Sequence, residues 1–506
     1  MAAATDSCGQ FDLCKFKTHI QFIIFIIRQE KQCLSLSRNN IMGNIKPKEL
    51  SKLGYTDNMA RSIAIEIVNK HCKHYTQEQI TNLLKQVIQM PDAFRTDYTW
   101  GKLADVLSPR KQETIHYELH ENPLVYHAYG VEHIDELARI QMETAMRLPV
   151  TIGGALMPDG CAGYGLPIGG VLATKEDVVI PYAVGKDIAC SMYLTILDAN
   201  ADYLVKHHDR AIDALVNKTA FGLDGTLPCK HYHPLFDRNE FRDLPILKKN
   251  REKAIRQTGS SGKGNHFVDI CEVKLPNDNL MGIAEGTYIG ILSHSGSRGL
   301  GAAIADYYTS IAKETCLLPR QAGPFAWLSM KSEAGQEYWK CLEIAGEYAT
   351  VNHETIHQNV AKAMRLESIF SIGNHHNYAW REQLANGEIV IIHRKGATPA
   401  HEGELGIIPG SMATPGFIVS GKGCATSLFS ASHGAGRSMS RLDARNSISR
   451  HALKKELATR NVTLIGGTTE EAPLAYKNIE AVMDAQHDLV NIEGTIIPRI
   501  VRMSEE

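Results

Sequence analysis

The sequence lacks several features that would assign it to a class at once. Its 11 cysteines include no C-x-x-C pair and show no short regular spacing, which argues against a zinc ribbon, a thioredoxin-like site and a disulfide framework. The net charge is -2, so no global basic field holds the protein on nucleic acid, although a local basic channel stays open as an alternative. No internal repeat or low-complexity linker is present. A reducing cytoplasm is therefore the expected location.

No apolar run reaches the length of a membrane span. The longest dense run, at residues 20–27, is far shorter than the ~20 residues that a bilayer requires. Lysines precede this run as in a signal peptide, but Arg28-Gln-Glu-Lys-Gln follows it in place of a small-residue cleavage site, so we discount a signal. Met42-Gly-Asn resembles the start of a folded protein. We therefore expect residues 1–41 to be a disordered extension, and we predict no membrane partner.

The composition fits a large globular chain. The 506 residues contain 43% apolar side chains, enough to bury one large core or two. Residues 42–110 have a helical pattern, in which Asp57 suits a helix N-cap and Thr76-Gln-Glu-Gln79 forms a capping box. Nothing in this segment indicates chemistry. We predict that residues 42–110 form a small helical N-terminal module.

The pattern changes beyond residue 110. A long amphipathic helix is predicted over residues 337–365. Glycine-rich turns separate strand-like apolar runs, which lie at residues 150–152, 170–174, 178–180, 193–197, 288–292, 389–392 and 416–420. We predict an α+β fold in which residues 111–506 form one large catalytic domain with mixed sheets and surrounding helices. Most candidate chemical residues lie in turns at strand ends, where rigid elements present loop side chains.

Asp187 and Cys190 are the most informative residues of the chain. They follow a glycine turn after the apolar stretch 178–184, which we predict to be a strand. Carboxylate, thiolate and imidazole are the side chains that hold first-row divalent metals. Imidazoles also occur downstream among glycine or asparagine residues, at His266, His294 and the adjacent pair His375 and His376. Each residue alone has a simpler explanation as a turn aspartate, a buried cysteine or a core histidine. Together they predict a metal-dependent enzyme, in which one of the adjacent histidines faces the site.

His433 lies in the sequence Ser432-His-Gly-Ala-Gly436-Arg437. A histidine before G-x-G and arginines suits phosphate chemistry, because it combines exposed backbone N–H groups, cations and a nitrogen nucleophile. The alternative is a glycine turn that contains a histidine, with the arginines on the solvated face of the next helix. The turn at Arg298 could likewise cradle a phosphate. Lys477 taken alone is an ordinary surface lysine.

Nine short motifs, taken in order, resemble those of one family. They are Met157-Pro-Asp, Val184-Gly-Lys-Asp-Ile-Ala-Cys190, Gly264-Asn-His-Phe, His294-Ser-Gly-Ser-Arg-Gly, His376-Asn, His393-Arg-Lys-Gly, Pro409-Gly-Ser-Met, His433-Gly-Ala-Gly-Arg and Ala475-Tyr-Lys. In type and order they are similar to the motifs of the RtcB-type RNA-splicing ligases. The resemblance covers roughly residues 115–500.

The resemblance implies an α+β fold and an RNA ligase that depends on GTP and Mn²⁺. Such an enzyme joins RNA that ends in a 2′,3′-cyclic phosphate or 3′-phosphate to RNA with a 5′-hydroxyl end, in tRNA splicing or RNA repair. By this resemblance His433 is the catalytic nucleophile that takes up guanylate, and Lys477 and Arg298 offset developing phosphate charge. An activating protein is a further expected partner.

The resemblance also implies two Mn²⁺ ions that share a thiolate. Asp187, Cys190 and His266 would hold one ion, and Cys190, His294 and His376 would hold the other. Ligand softness alone would favour zinc, cobalt or iron(II) for such a set. Contacts to guanylate would come from Asn265, His266, Phe267, Val268, Asp269, His376, Asn377, Pro409, Gly410, Ser411, Met412, His433, Gly434, Ala435, Gly436 and Lys477.

Three positions depart from the usual family pattern. Cys161 stands where the family carries a histidine, Asp269 where a glutamate recognises guanine, and Gly416 where a serine is usual. These departures bear on the use of GTP, and they indicate a divergent, bacterial-like branch dedicated to RNA repair. Two other functions fit the same residues. One is a metal-dependent cyclic phosphodiesterase that opens RNA ends without ligation, and the other is a non-catalytic RNA-binding subunit of a complex.

Overall fold

A computed structural model of the chain describes residues 45–95, 97–108, 114–228 and 231–505. The chain divides into two compact units, Met1–Gln112 and Glu113–Glu506. The predicted extension at residues 1–41 lies outside the described residues. In the ranges that the structure describes, no helix has the length and apolar character needed to cross a bilayer.

The described part of the first unit is helical. Its α-helices are α1 (Pro47–Lys52), α2 (Asn58–His71), α3 (Gln77–Gln89) and α4 (Gly101–Leu107). Both predicted caps are present. The Asp57 carboxylate accepts a hydrogen bond from the Ala60 N–H at the start of α2, and Thr76 and Gln79 form the reciprocal capping box of α3. A cluster of buried apolar side chains packs these helices around a core of their own.

The second unit combines helices with strands. Its helices are α5 (Glu136–Met146), α6 (Asp202–Lys218), α7 (Glu240–Asp243), α8 (Pro245–Gln257), α9 (Arg298–Thr315), α10 (Glu333–Met364), α11 (Arg441–Ser447), α12 (Arg450–Thr459) and α13 (Ile479–Asp484). Its strands are β1 (Ile115–His116), β2 (His127–Ala128), β3 (Thr151–Cys161), β4 (Ile168–Lys175), β5 (Val178–Val179), β6 (Ser191–Asn200), β7 (Phe267–Leu275), β8 (Gly286–Ser295), β9 (Cys316–Leu317), β10 (Leu328–Ser329), β11 (Ser368–His375), β12 (Asn377–Gln383), β13 (Ile389–Lys395), β14 (Ala397–Pro399), β15 (Leu405–Ile408), β16 (Gly416–Gly421), β17 (Ser430–Ser432), β18 (Thr463–Ile465) and β19 (Val490–Met503).

Two sheets dominate the described part of this unit. The larger has eight strands, in the order β11-β6-β8-β7-β19-β16-β15 with β18 beside β19. The smaller has five strands, in the order β12-β13-β4-β3-β2. Helices α6 and α10 pack on one face of the larger sheet, where aliphatic side chains of both helices and of β6, β7 and β8 form a buried cluster. The predicted α+β fold is confirmed.

Four neighbouring strands of the larger sheet present polar residues at the same end. Cys190 immediately precedes β6, and His266 immediately precedes β7. His294 is the penultimate residue of β8, and His376 immediately follows β11. Because β11, β6, β8 and β7 are adjacent and antiparallel, these four residues lie close together at the same end of the strands. The expectation that candidate residues lie at strand ends holds for this group.

Two predicted elements differ from those observed. The predicted strand at 178–184 is wrong over its second half, because β5 is followed by the 3₁₀ helix Pro181–Val184. A proline lacks the N–H that a strand ladder needs, and it fixes φ for the first position of a helical turn. The long helix α10 begins earlier than predicted, with Ser332 as its N-cap, and ends before Arg365, which has φ +62°.

Candidate active site

A cluster of potential metal ligands occupies this end of the sheet. Cys190 Sγ lies 3.1 Å from Nε2 of His294 and 3.4 Å from Nε2 of His266. His266 Nε2 lies 3.0 Å from Asp187 Oδ2, and Nε2 of His294 lies 3.2 Å from Nε2 of His376. The imidazoles of His266, His294 and His376 therefore all direct Nε2 towards a common centre beside the Cys190 thiol. The thiol and the three rings are buried.

The spacing of these atoms suits metal coordination. Ligand atoms around a tetrahedral ion with bonds of about 2.1 Å lie roughly 3.4 Å apart, which is close to the sulfur-to-nitrogen distances of the cluster. Two overlapping groups have all their ligand atoms within 4.8 Å of one another: Asp187, Cys190 and His266, and Cys190, His294 and His376. These are the groups to which the family resemblance assigns one ion each. The donor set fits a pair of divalent ions that share one thiolate.

Hydrogen bonds behind the cluster orient its members. Nδ1 of His294 donates to the carbonyl oxygen of Asn265 at 3.0 Å, which leaves Nε2 of the neutral ring unprotonated and directed at the sulfur. The Asn377 side chain donates to the carbonyl oxygen of Asp187 and accepts from the Gly396 N–H. Asn377 therefore braces the turn that carries the carboxylate.

Burial dominates the electrostatics of the cluster. It lowers the pKa of His294 to about 3 and lowers the pKa of His376 well below its usual value. Both imidazoles are therefore neutral at pH 7, which is the form that binds metal. Burial, followed by the Asp187 carboxylate, raises the pKa of the Cys190 thiol. A divalent ion would reverse this last shift, because coordination stabilises the thiolate.

Only one of the two adjacent histidines joins the cluster, as the sequence predicts. His375 turns away from it, and its Nδ1 lies 3.3 Å from the carbonyl oxygen of Ala189. Its ring stacks on Tyr378 with centroids 5.4 Å apart. His375 is therefore a bystander that packs beside the site.

His433 lies next to the cluster, and a buried aspartate orients it. Its ring centroid is 4.9 Å from that of His376. Nδ1 of His433 lies 2.6 Å from Oδ2 of Asp159, and the same oxygen accepts from the His433 backbone N–H at 3.2 Å. Asp159 is fully buried. Because a carboxylate can only accept hydrogen bonds, Nδ1 carries the proton and Nε2 of the neutral ring keeps a free lone pair.

The backbone around His433 is held on both sides. The preceding residue, Ser432, lies opposite Ala397 in the pairing of β17 with β14, and its N–H donates to Oε1 of Gln486 at 2.9 Å. After the histidine, Gly436 has φ +70°, and a Cβ there would lie 2.3 Å from the carbonyl oxygen of Asp159. Both the left-handed backbone and the close approach require glycine. The turn therefore packs directly on the segment that orients His433.

A pocket of about 150 Å³ opens beside His433. The potential metal ligand His294 lines one side of it, and Arg437 and Arg441, both paired with the buried Glu471, line another. Many of the predicted guanylate contacts also line it: Asn265, Phe267, Asp269, Pro409, Gly410, Ser411, Met412, His433, Gly434, Ala435 and Gly436. The remaining wall is largely apolar, and β19 contributes Ile496, Pro498, Val501 and Met503 to it. The pocket therefore brings the His433 imidazole, a potential metal ligand and an apolar wall together.

Comparisons with known proteins agree with this geometry. A family model described as tRNA-splicing ligase RtcB matches residues 141–241 and 236–503. The chain belongs to the RtcB family. It is 31% identical over 397 residues to the RNA-splicing ligase RtcB of Escherichia coli (strain K12), across 71% of this chain and 92% of that protein. It is 30% identical over 404 residues to the tRNA-splicing ligase RtcB of Thermococcus kodakarensis, across 66% and 83%. The family identified from the motifs is confirmed.

Some residues that the RtcB resemblance assigned to phosphate or guanylate do not line the pocket. Val268 is fully buried among apolar side chains on the opposite face of β7, because successive strand residues face opposite sides. The Lys477 ammonium donates to the carbonyl oxygen of Gly160 at 2.7 Å. The buried Arg298 guanidinium donates to the carbonyl oxygen of Gly222 at 2.8 Å. In this structure these two cations hold backbone segments.

The three departures from the RtcB pattern, Cys161, Asp269 and Gly416, all line the pocket. Asp269 is buried, and its Oδ1 has no hydrogen-bond partner within the described residues. Burial raises the pKa of this carboxyl well above its usual value. A Cβ at Gly416 would lie 3.0 Å from Cα of Pro409, so β16 approaches the Pro409-Gly-Ser-Met turn closely. The departures therefore alter the pocket and leave the potential metal ligands unchanged.

Asp159 is the residue that reasoning from sequence missed. Its motif, Met157-Pro-Asp159, was recognised, but no role was assigned to the aspartate. It lies 274 positions before His433, so no local spacing connects the two. The Met157-Pro-Asp159 motif itself could have pointed to this role. An acidic residue of a motif that is assigned neither to a metal nor to the nucleotide is a candidate to orient the histidine nucleophile.

Proposed function

We propose that the protein is an RNA ligase that joins RNA ending in a 2′,3′-cyclic phosphate or 3′-phosphate to RNA with a 5′-hydroxyl end, using GTP and Mn²⁺. The observation that carries the proposal is the position of His433. This oriented imidazole lies between a metal-ligating cluster and a pocket large enough to take part of a nucleotide. The names of the chain's relatives, which are RNA-splicing ligases, support the ligase class.

The two ions would be held by the overlapping groups that share Cys190. Burial raises the pKa of Asp187, but the hydrogen bond and charge of His266 outweigh it, so the net shift is downward and Asp187 is a carboxylate at neutral pH. Bound there, the ions would neutralise the triphosphate and the departing pyrophosphate. Softness of the donor set does not select Mn²⁺, and we assign that metal from the RtcB resemblance.

His433 supplies the nucleophile in the proposed mechanism. Its Nε2 attacks the α-phosphorus of GTP, so that a P–N bond forms and the bond to pyrophosphate breaks. Asp159 accepts the hydrogen bond from Nδ1 and stabilises the positive charge that develops on the ring. The protein fixes this tautomer in advance, because the aspartate is buried and bonds both the ring and the backbone of His433.

The later steps transfer guanylate to RNA. Water opens a cyclic phosphate to a 3′-phosphate, whose oxygen attacks the guanylylated histidine and releases the imidazole. The 5′-hydroxyl then attacks the activated 3′-phosphorus, forms the phosphodiester bond and expels GMP. The proposed guanine site is the part of the pocket lined by Asp269, whose Oδ1 has no hydrogen-bond partner among the described residues and can accept from the N–H edge of the base.

The test is incubation of the protein with GTP labelled at the α-phosphate and Mn²⁺, followed by denaturing electrophoresis. We expect label on the protein, in a bond that acid cleaves and base does not, as for a phosphoramidate. Absence of label with Mn²⁺, Co²⁺ and Zn²⁺ alike would contradict the guanylyl-histidine mechanism. Opening of cyclic phosphates without GTP and without joining would instead support the phosphodiesterase alternative.

Asp159→Asn is expected to slow guanylylation by about 10²- to 10⁴-fold. An asparagine of the same size can donate its amide N–H to Nδ1, which moves the proton of the neutral ring to Nε2 and removes the attacking lone pair. The rate of labelling in single-turnover conditions measures the effect. Asp488→Asn, at a side chain that is 77% exposed, is the matched control. Labelling of Asp159→Asn at the wild-type rate would show that the aspartate does not set the tautomer.

A further inference from the structure

A chain of buried hydrogen bonds connects helix α10 to the strand that carries His294. Nε2 of His353 lies 3.3 Å from the carbonyl oxygen of Ser295, and its Nδ1 lies 2.6 Å from Oγ of Ser293. The same hydroxyl lies 2.7 Å from Nε2 of His357, whose Nδ1 lies 2.8 Å from Oγ1 of Thr195. All five residues are buried. These contacts lie on the far side of the larger sheet from the proposed nucleotide pocket.

The direction of every bond in this chain is determined. A carbonyl oxygen can only accept, so Nε2 of His353 donates to Ser295. Burial lowers the pKa of His353 to about 3 and that of His357 well below its usual value, so each ring is neutral and has one donor and one acceptor nitrogen. The Ser293 hydroxyl therefore donates to His353 and accepts from His357, and Thr195 donates to His357. This chain of hydrogen bonds reaches β8 at the carbonyl oxygen of Ser295. A carbonyl oxygen cannot pass on a proton, so the chain does not deliver protons to the site. Its effect is to fix the position of the backbone.

The chain holds β8 on both sides of His294. Ser293 and Ser295 flank this histidine, and strand alternation places their side chains on the face opposite its imidazole. Thr195 ties the chain to the neighbouring strand β6, and its Oγ1 lies a further 2.9 Å from Oγ of Ser371 in β11. The Tyr193 ring covers the network, stacked on His353 with centroids 5.6 Å apart.

Helix α10 also supports the segment that leads to His266. The Asn352 side chain donates to the carbonyl oxygen of Ser260 at 3.0 Å and to Oγ of Ser295 at 3.2 Å. Its Oδ1 accepts from the Gly259 N–H at 2.8 Å. Residues 352–357 of the helix therefore contact two segments that carry potential metal ligands. One is the Ser293–Ser295 segment around His294, and the other is the 259–260 turn that leads to His266.

We propose that Asn352, His353 and His357 are positioning residues that keep His294 and His266 at the spacing that two divalent ions require. The inference rests on the proposed function, since it concerns the shape of the proposed metal centre. These side chains act through the Ser293–Ser295 segment and the 259–260 turn. Ligands held in place by folding need no further ordering when an ion binds, which raises metal affinity.

The test replaces the hydroxyl at the middle of the chain. Ser293→Ala leaves a ring acceptor of His353 and a ring donor of His357 buried without partners. We expect the affinity for Co²⁺ to fall about 10-fold or more, and the thiolate-to-cobalt absorption band to change in energy or width. Thr195→Val removes the hydroxyl that contacts both His357 and Ser371, at a position that stays β-branched, and we expect a smaller change in the same direction. Both are measured by titration of the intact metal-free protein, with circular dichroism as the check on folding.

Ser420→Ala is the matched control. Its hydroxyl is also buried in the larger sheet and bonds Glu493 at 2.6 Å, but β16 lies three strands from β8. It should lower stability while leaving Co²⁺ affinity and the spectrum unchanged. Wild-type affinity and spectrum in Thr195→Val, together with the same result in any folded Ser293→Ala, would overturn the positioning role. Failure of the wild-type protein itself to bind Co²⁺ would refute the proposed metal centre instead.

Discussion

Replacement of His433 by alanine is expected to abolish the covalent nucleotide adduct, with a loss of about 10⁴-fold or more. The neighbouring imidazole of His376 is not placed to take over, because its Nε2 faces His294 at 3.2 Å within the ligand cluster. The side chain of His433 is partly exposed and lines the pocket. Its removal therefore enlarges an open cleft and creates no closed cavity in the core, so the fold should survive.

Two comparisons make this result specific. His487→Ala removes a histidine that is 75% exposed, and it should label at the wild-type rate. An RNA that already carries guanylate on its 3′-phosphate should still be joined by His433→Ala, because the histidine is needed only for the first transfer. Wild-type labelling of His433→Ala would assign the nucleophile to another residue. Failure to join the activated RNA, in a folded variant that still binds metal, would show that His433 also acts in the last step.

Replacement of Cys190 by alanine is expected to remove both ions at once and to reduce guanylylation by about 100-fold or more, since loss of even an outer partner of a metal site costs 10- to 100-fold. The physical reason is that this sulfur belongs to both ligand groups. Loss of His376 or Asp187 should instead weaken one ion more than the other. Metal content after gel filtration, measured by mass spectrometry, follows the number of bound ions directly.

Cys271→Ala is the matched control for this variant. Cys271 is another buried cysteine of the larger sheet, in strand β7, where it packs in an apolar cluster. Its replacement removes a similar volume and should cost stability without changing the metal content. Equal metal content in Cys190→Ala and Cys271→Ala would contradict a shared thiolate.

Much of the fold and of the candidate site could be predicted from local sequence. Apolar runs between glycine-rich turns located long strands such as β6 and β8, because a short continuous apolar run bounded by turn residues is typical of a buried strand. The cap at Asp57 and the box at Thr76 depend on contacts three residues apart, which the sequence displays directly. The ligand cluster followed from residue chemistry at strand ends combined with family motifs. Each of these features is local, or is written in a short motif.

The features that escaped prediction depend on distant partners. The pairing of Asp159 with His433 joins segments 274 positions apart. Val268 faces helices α6 and α10, where it packs among their apolar side chains. The position of those helices decides which side of β7 the residue faces, and the local sequence does not reveal it. His353 and His357 are spaced by one helical turn on the buried side of α10, a pattern that the apolar periodicity alone conceals. Such residues become visible once the strand order is known.

In the proposed metal centre, the position of the potential ligands at the end of four adjacent strands would tie ion uptake to the end of folding. Residues 187 to 376 must all be synthesised, and β11, β6, β8 and β7 must pair, before a complete set of donors exists. The free energy of ion binding would then be added only to the finished structure, so that chelation and unfolding would be linked equilibria.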